Sequence, residues 1–426
     1  MKNQNQFACY WKSLFLVLLF TVALAAPGFA GVVLNQTKDE AGKDRIVVEN
    51  DFFKLDIAPA YGGMGARFVY KQTGNQWVLP DPDGTDLTGV FGDHLLQPPG
   101  GFGSWPGECM AASYDCQVLK NTPEEAVIKL WYRTKEGGPM PEVTGLLLEK
   151  ELTIKAALPY IICRIKVVND SKQVKTPQYW MQHCRVRFGK TKDKNYYYRP
   201  SARGIRVAFW KSVWPTKIVK GEEYIRDESA GWMGAVSPKD REGLICLMDY
   251  NCLDRLYNCI IANTVEWFYD RLSLKPGASW ATEIIFRPVF GFTAFSYASA
   301  NIICDTRPEL TGTGVKITQS ISAMGAVVSD PVVCRVQLLS YPERKELAVQ
   351  TVTFERLGLE PESKELTFAK IAPDRLLVIG VEIDARKFKE SYETYYDTAA
   401  KEKAYYDLTG YEMKPPPKRD ASSVLP

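Results

Sequence analysis

Apolar and polar residues alternate along most of the first 300 positions, and turn residues interrupt the alternation at short intervals. Residues 45–79 show it between turn signals at 49–51, 59–65 and 74–75. Alternation with a period of two is typical of half-buried β-strands. Similar segments follow at 126–134, 145–171, 178–189, 231–238, 243–250 and 266–292. No interval alternates strands with long amphipathic helices, so the pattern predicts an all-β protein rather than a doubly wound α/β fold.

Residues 81–110 differ from their surroundings. This stretch, PDPDGTDLTGVFGDHLLQPPGGFGSWPGEC, is rich in Gly, Pro and Asp and has little periodicity. It is therefore predicted to be a long loop, and loops of that length inside compact domains are usually functional. We expect it to close over one end of a binding cleft.

The chain changes character near residues 301–314, where the first strand series ends. A second series of short strands at 315–385 suits a small immunoglobulin-like β-sandwich. Residues 385–411 mix charges and aromatic residues at helical spacing and predict a C-terminal helix, followed by a disordered tail. The predicted domains are thus a large one at 31–305, a sandwich at 312–385, and a helix with tail at 386–426.

The N-terminus has the features of a signal peptide. Lys2 and Lys12 precede or flank an apolar run at 13–26, and small residues at Gly28 and Ala30 favour cleavage after Ala30. A retained N-terminal anchor is the alternative. No later stretch reaches the ~20 apolar residues of a membrane span. The mature protein is therefore expected to be secreted or periplasmic and not bound to a membrane.

Charge and cysteine content narrow the function classes. The formal charge of +3 becomes +1 without Lys2 and Lys12, which argues against nucleic-acid binding. The nine cysteines of the mature chain leave two alternatives open, buried thiols or disulfides among Cys109/Cys116 and Cys246/Cys252/Cys259. There is no C-x-x-C motif, and two histidines cannot form a His-rich metal site. No metal site is expected.

Short signatures within residues 40–300 resemble those of galactose mutarotase-like proteins. Residues 48–79 carry a P-x-x-G-G corner and a K-x-T-G hairpin, residues 152–183 carry V-x-N-x-S before a strand with a histidine, and residues 263–288 carry a glutamate before L-x-P-G-x-S. The resemblance implies a β-supersandwich of many antiparallel strands. It also implies carbohydrate as the partner and no cofactor.

The same resemblance implies roles for individual residues. His183 matches the acid histidine of the family and Glu266 its general base, while His94 is the one candidate for a second histidine. Mutarotation needs such a pair, because one group removes the anomeric proton while another protonates the ring oxygen. Arg67 is a poor match for the family's arginine, since strand alternation turns it outward. Structural roles remain open for all three candidates: a core position for His183, a solvated strand position for Glu266, and a loop role beside Asp93 for His94.

Two other functions remain open. A lyase acting on uronate-containing polysaccharide would use Arg199 and Arg203 to bind the carboxylate and tyrosine or histidine as base. A non-catalytic glycan-binding module would need only a binding surface. Aromatic rings stack on sugar C–H faces, and the substrate-binding candidates of this kind are Tyr197, Trp180 and Trp267. The sequence thus predicts a carbohydrate-binding protein, with an epimerase-type activity as the first hypothesis.

Overall fold

The computed structural model describes residues 31–79, 88–97, 107–135, 140–190, 195–202, 204–209, 222–260, 262–371 and 376–398. The predicted signal peptide, the predicted tail and Arg203 lie outside these ranges. Among the described residues, no helix is both long and apolar enough to cross a membrane. All nine described cysteines are free thiols rather than disulfides.

A ten-stranded antiparallel sheet forms one layer of the large domain. Its order is β1-β2-β3-β4-β6-β11-β18-β17-β14, with β5 paired to β4. The strands are β1 (Val33–Lys38), β2 (Asp44–Glu49), β3 (Phe53–Ala58), β4 (Met64–Tyr70), β5 (Asn75–Gln76), β6 (Gly89–Leu96), β11 (Gln178–Cys184), β14 (Glu222–Ile225), β17 (Leu253–Cys259) and β18 (Val265–Arg271).

A nine-stranded antiparallel sheet packs against one face of the first, with the order β13-β12-β15-β16-β19-β10-β9-β8-β7. The two sheets share one hydrophobic core, in which Phe68 of the first meets Phe286 of the second with ring centroids 5.3 Å apart. We call the opposite face of the ten-stranded sheet its outer face. The strands of the second sheet are β7 (Asp115–Asn121), β8 (Glu125–Arg133), β9 (Leu146–Lys155), β10 (Ile161–Asn169), β12 (Tyr196–Ser201), β13 (Gly204–Ala208), β15 (Trp232–Ser237), β16 (Glu242–Leu247) and β19 (Ser279–Phe290).

The C-terminal part contains two four-stranded antiparallel sheets around a core of their own. One sheet consists of β20 (Tyr297–Ala298), β21 (Ile302–Thr311), β22 (Gly314–Ala323) and β25 (Glu362–Ala369). The other consists of β23 (Val332–Ser340), β24 (Glu346–Phe354), β26 (Leu376–Ala385) and β27 (Phe388–Asp397). The all-β class and the sandwich arrangement agree with the sequence-based prediction. The domain limits at 305 and 312 stay a prediction; β21 crosses position 305 and ends at Thr311.

The predicted C-terminal helix is wrong where the structure describes it, because residues 388–397 form strand β27 and pair with β26. The aromatic residues Phe388, Tyr392 and Tyr396 recur every fourth position. A spacing of four places residues on one face of a helix, but it is also a multiple of the strand period of two. All three rings pack against the sandwich core, so tertiary packing selects the strand.

The predicted loop at 81–110 is wrong in part, because residues 89–96 form β6 between β4 and β11. All eight residues of β6 are buried, since both faces of this central strand are covered. A strand buried on both faces shows no apolar–polar alternation, which explains why the pattern failed to reveal it. A single helical turn, α1 (Gly107–Met110), contacts β6.

A buried ion pair joins the two large sheets. Lys150 of β9 lies 2.6 Å from Asp93 of β6, and both side chains are fully buried. The Lys150 ammonium also donates a 2.6 Å hydrogen bond to the carbonyl oxygen of Phe91, and the Tyr179 hydroxyl donates one of 2.6 Å to Asp93. Burial raises the pKa of Tyr179 well above its usual value, so this hydroxyl keeps its proton. The network fixes β6 against the second sheet through satisfied polar groups.

Candidate functional site

The outer face at β6, β11 and β18 carries a connected set of polar side chains. Gln182 of β11 pairs directly with Glu266 of β18, and Trp180 pairs with His94 of β6. Directly paired residues share a face, and residues two positions apart on one strand do so as well. His94, Trp180, Gln182 and Glu266 therefore project from the same face of the sheet.

Gln182 connects the histidine to the carboxylate. Its Nε2 donates a 3.0 Å hydrogen bond to Oε2 of Glu266, and its Oε1 lies 3.2 Å from Nε2 of His94. Because the amide oxygen only accepts, His94 must carry a hydrogen on Nε2. Any proton that His94 exchanges with a ligand then has to move through Nδ1. The amide thus sets the tautomer of His94 and the orientation of Glu266.

Aromatic rings hold the imidazole in place. The His94 ring stacks on Trp180 with centroids 4.0 Å apart, and Trp180 stacks on Phe268 at 4.8 Å. The Arg255 guanidinium lies 4.0 Å from the Phe268 centroid on the next strand. The three stacked rings and the guanidinium group form a column across four neighbouring strands, from β6 to β17. Gly107 of α1 has φ +70°, a conformation that favours glycine, and a Cβ there would lie 3.5 Å from His94 Nδ1, an ordinary contact distance.

His183 projects in the opposite direction, into the core between the sheets. Its ring contacts those of Phe91, Trp267 and Phe286, with centroid distances of 5.3, 5.4 and 5.1 Å. Its Nδ1 accepts a 3.0 Å hydrogen bond from the backbone N–H of Phe91. Burial, with a contribution from Lys150, lowers the pKa of His183 to about 3. It is a neutral core residue.

The pairing of His183 with Glu266 implied by the sequence resemblance is therefore not made in the structure. Adjacent residues of a strand point to opposite faces, so a shift of one position in β11 exchanges His183 for Gln182. Glu266 and His94 do share a face, joined through Gln182. Both are fully buried, so the expectation of a solvated Glu266 is wrong.

Of the proposed substrate-binding residues, Trp180 contacts His94. Trp267 is buried in the core against His183. Tyr197 is buried too, its oxygen 3.3 Å from Nδ2 of Asn195, and burial raises its pKa. Arg199 is buried and donates a hydrogen bond to Asn258. Arg203 lies outside the described residues.

Sequence reasoning missed Gln182, Phe268 and Arg255. All three follow from the strand register once one residue of the face is known, since Trp180 pairs with Phe268 and Phe268 with Arg255. The described residues contain no group of three or more His, Cys, Asp or Glu side chains placed to hold a metal ion.

Burial of a neutral His183 has a consequence for acid stability. A histidine with a pKa of about 3 in the folded state and about 6.5 in the unfolded chain binds more protons when unfolded between these values. Its stabilising contribution is thus complete above pH 6.5 and is lost as the pH falls. Lowering the pH from 7 to 5 should cost about 2 kcal/mol through this residue.

Urea unfolding of the wild type and of His183→Phe at pH 7 and pH 5 measures this contribution. The variant should lose less stability between the two pH values, whatever its stability at pH 7. Equal losses in both proteins would show that His183 is accessible to protons in the folded state.

Comparisons with known proteins found a partial likeness to solved structures and no match to a protein family. No protein-family model matches the chain, and no curated protein matches it. Among solved structures, it is similar to a galactose mutarotase-like protein from Clostridium acetobutylicum (TM-score 0.45, 9% identity, covering 61% of this chain and 99% of that one). A galactose mutarotase-like protein from Lactobacillus casei gives a TM-score of 0.42 at 11% identity, with 57% and 99% covered.

A TPR-domain containing protein from Parabacteroides distasonis gives a TM-score of 0.41 at 13% identity and 58% coverage of this chain. The chain spans about half of that protein, 47% of its length. Two of these three neighbours carry the class name that the sequence signatures indicated. Their TM-scores below 0.5 make this a partial likeness, and no residue role is transferred from them.

Proposed function

We propose that the protein binds a saccharide on the outer face of its ten-stranded sheet and promotes an epimerase-type proton transfer with His94 and Glu266. The observation that supports this is the hydrogen-bonded chain from His94 through Gln182 to Glu266. It brings an imidazole and a carboxylate, the two groups suited to acid–base catalysis near neutral pH, to the same place. In this proposal His94 replaces His183 as the acid.

The proposed reaction opens and closes the sugar ring at the anomeric carbon. The Glu266 carboxylate takes the proton of the anomeric hydroxyl, and the His94 imidazolium gives a proton from Nδ1 to the ring oxygen. The C–O bond of the ring breaks, and the hydroxyl electrons form the carbonyl bond. Closure on the other carbonyl face reverses both transfers. Gln182 exchanges no proton and keeps both groups oriented.

A non-catalytic binding module is the second candidate. Both ionisable side chains are fully buried and each is already hydrogen-bonded to Gln182, a group that cannot titrate. A site of this kind can hold sugar hydroxyls without transferring a proton. The uronate-lyase alternative has less support, because Arg199 is fully buried and donates a hydrogen bond to Asn258, and Arg203 lies outside the described residues.

Polarimetry separates these candidates. The protein is added to freshly dissolved α-D-glucose or α-D-galactose and the decay of optical rotation is followed, while a uronate polymer is monitored for ultraviolet absorbance in parallel. An epimerase-type enzyme accelerates the decay. A binding module leaves it unchanged but binds saccharide in calorimetry, and a lyase produces the absorbance. Absence of all three signals would overturn the proposal.

We also propose that the protein is exported and cleaved after Ala30. Expression of the full chain in a bacterial host with a periplasm should yield protein that begins at Gly31 in the periplasmic fraction. N-terminal sequencing of that fraction is the measurement. An intact N-terminus in the membrane fraction would instead support the retained anchor.

A further inference from the structure

A cavity of about 350 Å³ lies on the outer face of the ten-stranded sheet beside β2 to β5. Its volume is within the usual range for small-molecule sites, about 300–1,000 Å³. Arg67 of β4 lines it and is exposed, whereas the next residue, Phe68, is buried in the core between the sheets. This alternation places the cavity on the same face as His94, Gln182 and Glu266.

Polar atoms at this cavity lack hydrogen-bond partners within the described part of the chain. These are Nη1 of Arg45 and Oε1 of Gln76, which line the cavity, and Oδ1 of Asp56 on the neighbouring strand. Arg45 Nη1 and Asp56 Oδ1 are 3.8 Å apart, an ion-pair distance but too long for a hydrogen bond. Buried polar groups in native proteins are normally satisfied. These three atoms are buried, so a bound molecule with hydroxyl groups would contact the exposed parts of the Arg45 and Gln76 side chains instead.

The charges at the cavity balance. Arg45 pairs with Asp39 at 3.4 Å as well as with Asp56, and Asp56 lies directly across the strand pair from Arg67. Burial raises the pKa of Asp56, in keeping with a poorly solvated carboxyl. Asp39 and Asp56 do not line the cavity, but they compensate the positive charges of the two arginines that do. A neutral ligand whose hydroxyls both donate and accept fits this set.

The remaining wall is apolar or aromatic. Tyr61, Met64 and Val78 line the cavity, and the Arg45 guanidinium lies 5.5 Å from the centroid of the Tyr61 ring. Aromatic and aliphatic surfaces favour contact with the C–H groups of a sugar ring. The combination of such a wall with mixed donors and acceptors is the chemistry of a neutral saccharide.

Met64 connects this cavity to the candidate site. A Cβ added at Gly92 of β6 would lie 3.3 Å from Sδ of Met64 and 3.1 Å from the carbonyl oxygen of Gln182. Only β6 separates β4 from β11 in the sheet. Two strand spacings correspond to about 10 Å, a distance that a ligand of several sugar units spans.

We infer that this cavity binds one neutral sugar unit of an oligosaccharide whose neighbouring units extend toward His94 and Glu266. The inference rests on the proposed saccharide binding and makes its ligand a neutral oligosaccharide rather than a monosaccharide. Arg45, Arg67 and Gln76 hold the hydroxyl groups, and Tyr61 supports the ring.

Binding to a printed array of neutral and uronate-containing glycans of one to six units tests the inference, followed by calorimetry with the best ligand. Arg67→Ala should weaken binding of neutral glycans about tenfold, the effect of losing one charge-assisted hydrogen bond. Lys54→Ala is the matched control, since Lys54 is an exposed basic residue on β3 that pairs with Glu49 at 3.5 Å. It should bind as the wild type does. Ala66→Trp, which fills the cavity, should weaken binding without loss of Arg67.

The outcomes separate this inference from the proposed function. Glycan binding that both Arg67→Ala and Ala66→Trp leave unchanged would overturn the cavity assignment alone, provided that thermal unfolding shows both variants to be folded. A preference for uronate-containing glycans would overturn the assignment to a neutral ligand. If the wild type bound no glycan on the array, the proposed function and this inference would fail together.

Discussion

Replacing Lys150 with methionine is expected to lower the free energy of unfolding by about 3–5 kcal/mol. Lys150 and Asp93 are fully buried and 2.6 Å apart. Methionine keeps the apolar stem but leaves the Asp93 carboxylate without its counter-charge in the core, which is the costly outcome for a buried pair. Urea denaturation followed by tryptophan fluorescence measures the loss.

Two further variants make this result specific. Lys166→Met removes a half-exposed lysine that lies 3.6 Å from Glu149, and pairs of this kind contribute about 1 kcal/mol or less. Lys150→Met combined with Asp93→Leu should recover part of the loss, because no uncompensated charge remains. A loss in Lys150→Met no greater than that in Lys166→Met would contradict the buried ion pair.

His94→Ala is expected to lower the catalysed rate of mutarotation by ~10²-fold or more, the usual contribution of a general acid. In the proposed mechanism Nδ1 of His94 protonates the ring oxygen, and alanine removes that proton donor. The rate is measured by polarimetry with fresh α-D-glucose and α-D-galactose at a series of concentrations, so that kcat and KM are obtained separately.

His183→Phe is the matched control for this prediction, because it removes the other histidine of the chain while keeping a ring in the core. It should retain kcat per folded molecule, even if less protein folds. The reverse result, activity retained in His94→Ala and lost in His183→Phe, would restore the assignment that the sequence resemblance implied.

The all-β class could be predicted from the sequence because alternation is strong wherever one face of a strand is exposed. β8 and β10 show this pattern clearly. β6 could not be recognised in the same way, since all of its residues are buried. The sequence of β27 predicts a helix because aromatic residues four positions apart share a face in an α-helix and in a β-strand alike.

For the candidate site, the sequence predicted the types of residue and their approximate positions but not which side chains share a face. His94 and Glu266 were both identified, and the family resemblance assigned the acid role to His183. Alternation alone could not check this assignment, because it does not tell which face of a fully buried strand meets the core. Every residue of β11 after Gln178 is buried, so burial does not distinguish the faces either. The two faces of β11 are distinguished by the pairing of Gln182 with Glu266, a contact between residues 84 positions apart.

Lys150 was not identified from the sequence, although its position on β9 is unusual for a lysine. Lys150 lies two positions from Leu148 and two from Leu152 on β9, so these three residues share a face of the strand. Its ammonium group is therefore placed among leucines on the core face. A lysine in such a position requires a buried partner. The partner, Asp93, lies in the segment that was predicted to be a loop, so the pair could not be completed without the fold.

The central claim is that His94 faces the ligand and His183 does not, and imidazole NMR tests it most directly. The chain has two histidines, so protein labelled with ¹⁵N-histidine gives two sets of ring signals that His183→Phe assigns. On addition of the best-binding saccharide, the signals of His94 should shift while those of His183 stay in place, with His183 protonated on Nε2 and neutral at pH 5. Saccharide-induced shifts of His183 with an unperturbed His94 would contradict the account.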